Sequence, residues 1–128
     1  MRAQASLEYL LLACIALSLL SVSVLALTGI RGSAEQGFET FQFQSSSLAL
    51  SNAINELCAS GNGNGREVRL AANISVESVP GDNEWLVRFS NGNLSMVRAS
   101  RCDVSAVRVP AGAIYAKNEE GEIILKVL

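Results

Sequence analysis

The chain is expected to fold as α+β, with one long N-terminal helix packed on a small antiparallel β-sheet domain. Three observations predict this. A run from Tyr9 to Leu27 carries no charge; helical apolar spacing then continues without proline to Ser60; and beyond Gly61 short β-type runs alternate with turn signals. The 128 residues suit one domain plus the apolar segment.

The apolar run spans roughly 28 Å as a helix at about 1.5 Å per residue, close to a hydrocarbon core. Ser18, Ser21 and Ser23 are its hydroxyls, able to bond back to the preceding turn or across to a neighbouring helix. Glu8 stands at its front edge, and Arg2 marks the end expected in the cytoplasm. A secretory signal peptide has a shorter apolar core, of about 7–15 residues. A lipoprotein signal at Leu11-Leu12-Ala13-Cys14 would be followed by a polar tether, yet Ile15 to Leu20 stays apolar except for Ser18. A plain membrane anchor explains the length but not Glu8.

From Thr28 to Ser60 the apolar residues fall into two stripes at 100° per residue. Phe43, Leu50, Ile54 and Leu57 share one side; Ile30, Ala34, Phe38, Phe41 and Leu48 share the other. The first stripe is expected to meet the chain's own sheet and the second to meet other chains. The alternative is a helix sunk on both sides into one core, which the roughly seventy residues that follow are too few to build. Gly29, Gly32 and Gly37 each weaken the helix by about 1 kcal/mol relative to alanine. They provide either a bend or sites of close packing.

Gly61-Asn62-Gly63-Asn64-Gly65 is expected to end the helix. The strands expected after it are Glu67–Val79 as one or two, Glu84–Phe89, Leu94–Ala99, Val104–Val109, Ala113–Ala116 and Glu122–Val127. They form a meander of about six, with turns at Pro80–Asn83, Asn91–Asn93 and Asn118–Gly121. Outside the cytoplasm, Cys58 and Cys102 are candidates for a disulfide closing a loop worth roughly 4 kcal/mol; two buried thiols are the alternative. Cys14 is expected to stay in the membrane. Asn73-Ile74-Ser75 and Asn93-Leu94-Ser95 are N-glycosylation triplets.

Composition narrows the chemistry. Histidine is absent, which removes the commonest general base and metal ligand. There is no G-x-S-x-G, H-E-x-x-H or zinc-type cysteine spacing, and the glycine-rich loop lacks a P-loop lysine. Asp82, Asp103 and the Asn118-Glu119-Glu120 turn fit no standard calcium loop. No enzyme, catalytic residue, metal or cofactor is expected. The net charge is −2, and the region from Ala59 onward carries eight basic and eight acidic residues, giving no basic signal for nucleic acid. Arg69, Arg88, Arg98 and Arg108 are expected to make solvated cross-strand pairs with glutamates rather than a binding stripe.

Arg2-Ala3 followed by Gln4-Ala5-Ser6-Leu7-Glu8-Tyr9-Leu10-Leu11-Leu12 resembles the class III signal peptide of archaeal type IV pilin-like proteins. Gln4, Ser6, Glu8 and Leu12 fall on that family's Q-x-S-x-E-x-x-x-L pattern; Ala3 stands where the family usually has glycine. The resemblance covers about the first twenty-five residues. It implies a leader, residues 1–3, removed between Ala3 and Gln4 by a prepilin peptidase. The helix, 4–58, spans the membrane over about 9–27 before assembly and becomes a filament core afterwards, with 59–128 as an outward β headgroup. The new amine at Gln4 would pair with Glu8 of an adjacent subunit, since a lone ionised carboxylate in lipid costs several kcal/mol. A Glu8 wetted at the headgroup interface is the simpler alternative. Gln4, Ser6, Glu8, Phe38, Phe41 and Leu48 are thus the expected assembly residues of a helical homo-oligomer built by pilus machinery at the cell surface, for adhesion or attachment. The competing function is a membrane-tethered monomeric β-domain binding sugar or an envelope component in an aromatic pocket, for which only Trp85, Phe89 and Tyr115 are available.

Overall fold

The computed structural model describes residues 2–128. Met1 of the expected leader lies outside the described residues. One helix, α1 (Arg2–Ser60), is followed by β1 (Gly65–Leu70), β2 (Ile74–Pro80), β3 (Trp85–Asn91), β4 (Leu94–Ser100), β5 (Asp103–Val104), β6 (Val107–Val109), β7 (Gly112–Glu119) and β8 (Glu122–Val127). The expected α+β class, a long apolar helix with an antiparallel-rich β domain, is what is found. The chain divides into two compact units, 1–38 and 39–128.

In the first unit every residue from Ala3 to Phe38 is exposed. Ser18, Ser21 and Ser23 donate to the carbonyls of Cys14, Leu17 and Leu19 at 2.8–2.9 Å, so these hydroxyls are satisfied within the helix. The helix runs through Gly29, Gly32 and Gly37 unbroken.

In the second unit the helix follows a single inward face. Phe43, Ser46, Ser47, Leu50, Ser51, Ala53, Ile54 and Leu57 are buried, at i, i+3, i+4 and i+7 spacing, while Phe41 and Leu48 are exposed. The stripe expected to meet the chain's own sheet does so, sharing one core with Val68, Ile74, Phe89, Ile114 and Ile123. Ser46 Oγ accepts the Ala71 N–H at 2.8 Å, tying α1 to the end of β1.

The strands do not form one meander. They make two four-stranded sheets, ordered β1-β7-β8-β5 and β4-β3-β2-β6. The 67–79 segment breaks at Ala71–Asn73 and places β1 and β2 in different sheets. The single strand expected at 104–109 also divides: β5 lies parallel to β8, whereas β6 pairs antiparallel with β2. Crossing from one sheet to the other lets Val104 and Val109 both enter the core. The sheets are stitched where the Val104 N–H donates to Ser78 Oγ at 3.4 Å, while the Ser105 N–H, donating to the Ile123 carbonyl at 3.1 Å, continues the β5–β8 pairing within the first sheet. Sequence periodicity reports that a residue run is extended, not which strand it will neighbour.

Asn118 is the junction of helix end, loop and hairpin. Its Nδ2 donates to the Leu57 carbonyl at 3.0 Å, and its Oδ1 accepts the Gly121 N–H at 3.0 Å. Its backbone exchanges bonds with Asn64 and Gly63 at 2.9 and 2.8 Å. The side chain is buried, so Asn118→Ala is expected to cost about 2–3 kcal/mol, from two lost bonds and an unpaired Gly121 donor. Asn118→Asp should cost at least as much, because an acceptor would then face the Leu57 carbonyl. Thermal unfolding of the detergent-solubilised chain checks both; a cost below about 1 kcal/mol would contradict this role.

The β7–β8 connection is Glu120-Gly121, with φ of 55° and 91°. Positive φ at both central residues defines the type I′ turn, which favours Asn-Gly. The Glu120 N–H is held by Asn62 Oδ1 at 2.9 Å, but its side chain bears the left-handed strain. Glu120→Asn is therefore expected to stabilise the domain by about 0.5–1 kcal/mol, read as a higher melting temperature.

Candidate assembly surface

The residues of the N-terminal motif lie in the first turns of α1. Ala3 and Gln4 sit at its start, and Gln4, Ser6 and Glu8 are all exposed. Among the described residues Glu8 has no ion-pair partner. Leu7, Leu10, Leu11, Leu12, Leu17 and Leu20 are each more than half exposed. So long an apolar surface, uncovered by its own chain, is stable only in lipid or against other protein. Its length and composition are compatible with membrane insertion.

Each unit also has large apolar side chains of α1 that its own residues leave uncovered. In the first unit Ile30 is 66 % and Phe38 61 % exposed. In the second, Phe41 is 66 % and Leu48 45 % exposed, while Phe43 is only 2 % exposed. Two phenylalanines two residues apart thus have opposite environments, because a two-residue step turns the helix by about 200°. Arg31 and Glu35 pair across one turn at 2.9 Å in full solvent, an arrangement worth only about 0.3–0.5 kcal/mol.

Cys58, in the last turn of α1, is joined by a disulfide to Cys102 in the β4–β5 connection, with Cα atoms 5.8 Å apart. Cys14 is a free thiol in the apolar run. Of the two glycosylation triplets, Asn93 occupies the β3–β4 hairpin tip, and Asn73 precedes β2 with its Oδ1 accepting the Ala111 N–H at 2.8 Å.

The four arginines do not share a sheet face. Arg69 belongs to β1 in the first sheet, and Arg88, Arg98 and Arg108 belong to the second. Within the second sheet Arg88 is opposite Glu77 on the outer face, whereas Arg98 is opposite buried Val87, in the inward register of edge strand β4. Among the described residues only Arg69 of the four reaches a carboxylate, Glu67 at 3.7 Å within its own strand. The expected cross-strand pairs therefore do not form, and an inward-register charge on an edge strand instead discourages edge-to-edge pairing. Lys117 donates to Glu119 at 3.0 Å, and this hydrogen bond, then the ammonium charge, lowers the Glu119 carboxyl below its ordinary range. That small contribution is present at neutral pH and is lost as pH falls through the lowered value.

The three aromatics of the competing reading are dispersed. Phe89 is fully buried in the core, Trp85 is half-buried in β3, and Tyr115 lies in the other sheet against Gly65. A cleft of about 520 Å³ lined by Asn55, Cys58, Ala59, Glu84, Ser100 and Arg101, with Ala99, contains none of them. No group of three or more carboxylate or thiol ligands converges among the described residues.

Sequence reasoning missed Asn118, Asn62 and the buried serines 46, 47 and 51. Asn118 was legible only as a turn residue, and serine carries no weight in an apolar stripe. Comparison with protein-family models, curated proteins and solved structures finds no match to this chain.

Proposed function

We propose that the chain is an archaeal type IV pilin-like subunit of a surface filament, serving adhesion or attachment. The precursor sits in the membrane with its N-terminus in the cytoplasm. Prepilin peptidase cuts between Ala3 and Gln4, and the pilus assembly machinery draws the subunit into a helical homo-oligomer. The helices form the core, and the β-domains face outward.

One observation carries this reading. A Q-x-S-x-E-x-x-x-L pattern at the mouth of an apolar helix coincides with apolar side chains along that helix left uncovered by the chain itself. A tethered monomer needs the membrane span but has no use for exposed Phe38, Phe41 and Leu48 beyond it. Glu8, which has no ion-pair partner among the described residues, is then matched by the Gln4 amine of a neighbour, which offsets the cost of taking the carboxylate out of water.

The test is the N-terminal residue of this protein in high-molecular-weight material sheared from cells. A chain beginning at Gln4 in that pellet is the expected result. An intact Met1 confined to membranes, with nothing in the pellet, would sink the proposal in favour of the tethered monomer.

A further inference from the structure

The fold treats the two Asn-x-Ser triplets differently. Gly92 and Asn93 form the two-residue connection between β3 and β4, with Gly92 at φ 57°. Asn93 and Ser95 are exposed, and Leu94 between them is half-buried. Strand β4 is an edge strand, paired only with β3. The Asn93 triplet therefore begins on a turn and continues along a strand with one free side.

The Asn73 triplet is built into the domain. Asn73 Oδ1 holds the Ala111 N–H, and Ile74 is 1 % exposed in the core. Ser75 is paired on both sides, with Ser90 of β3 and with Arg108 of β6. A transferring enzyme has to grip the backbone of all three residues and reach the serine hydroxyl. At Asn93 that requires loosening a hairpin end. At Asn73 it requires removing an interior strand and a core isoleucine, an opening close to global unfolding.

We propose that the folded domain is a glycan acceptor at Asn93 and not at Asn73. The donor class is a lipid-linked oligosaccharide phosphate. The sugar C1–O bond to phosphate breaks, Asn93 Nδ2 forms the new bond to C1 and gives up one proton, and the lipid phosphate leaves; nothing is oxidised or reduced. The proposal rests on the outward placement of the β-domain in the function proposed above, but not on filament assembly.

Peptide mapping by mass spectrometry of the full chain isolated from native cells tests it. The peptide containing Asn93 is expected to carry a glycan mass, and the peptide containing Asn73 to be unmodified. Ser95→Ala, at an exposed position, should abolish the added mass, and Ser75→Ala should leave it in place. A glycan on Asn73, or an unmodified Asn93, overturns the proposal. The N-terminal residue of the same sample reports separately on the filament subunit: a glycosylated chain beginning at Met1 sustains this inference and refutes that one.

Discussion

If the chain assembles as proposed, Phe41→Asp combined with Leu48→Asp is expected to remove the protein from the sheared filament fraction, by at least roughly tenfold, while leaving the domain as stable as before. Both side chains are exposed and lie on the side of α1 turned away from its own core. Surface changes away from buried features usually move stability by no more than about 0.5 kcal/mol. At a subunit interface, however, each would place an unpaired carboxylate in a desolvated contact, and such a charge costs several kcal/mol. Phe43→Ala is the paired control and should do the reverse. Phe43 is 2 % exposed, so its truncation should cost about 3–5 kcal/mol in thermal unfolding. Filament yield would then fall only as far as folded protein becomes scarce. If the double aspartate variant still sediments with filaments, the exposed stripe is not an assembly surface. If it unfolds instead, Phe41 and Leu48 contribute to the domain in a way their exposure does not explain.

Breaking the Cys58–Cys102 bond should have an effect of similar size. The cross-link closes a sequence separation of 44 residues. In the chain-entropy model a loop of that length restricts the unfolded ensemble by about 4 kcal/mol. Reduction, or the Cys58→Ala/Cys102→Ala double change, is therefore expected to lower the melting temperature by roughly 15–30 °C for a domain of this size. Melting the detergent-solubilised chain with and without reductant measures it. An unchanged melting temperature would mean that the helix end is held by its other ties alone. Those ties are specific: Asn118 bonds the Leu57 carbonyl, and Arg66 pairs with Glu56. Because Leu57 and Cys58 are adjacent, the Asn118 and cysteine changes should not add independently.

How much of this was legible beforehand differs by feature. The inward stripe Phe43, Leu50, Ile54 and Leu57 was readable because a helix repeats every 3.6 residues, so that burial is written into spacing. The turns at Gly92 and Gly121 were readable because left-handed backbone favours glycine. The last strand, Glu122–Val127, was readable by its alternation, Ile123 and Leu125 inward. By contrast, the partition of β1 and β2 into different sheets left no trace in either strand, since both show the same period of two. The split between Val104 and Val107 was equally hidden, because a chain crossing between sheets presents apolar residues to the core on both sides of the crossing.

The candidate surface divides along the same line. The Gln4, Ser6 and Glu8 pattern and the charge-free run are properties of the chain in order, so sequence alone determined them, together with the α+β class. Which phenylalanine lies inward and which outward was also settled by spacing. That Asn118 would join Leu57 to Gly121, that the candidates Cys58 and Cys102 would be bonded rather than left as two buried thiols, and that Asn73 would enter an interior strand were decided only by tertiary structure. Each depends on residues far apart in the chain, and pairings of that kind are selected by the closure of a common core rather than by any local preference.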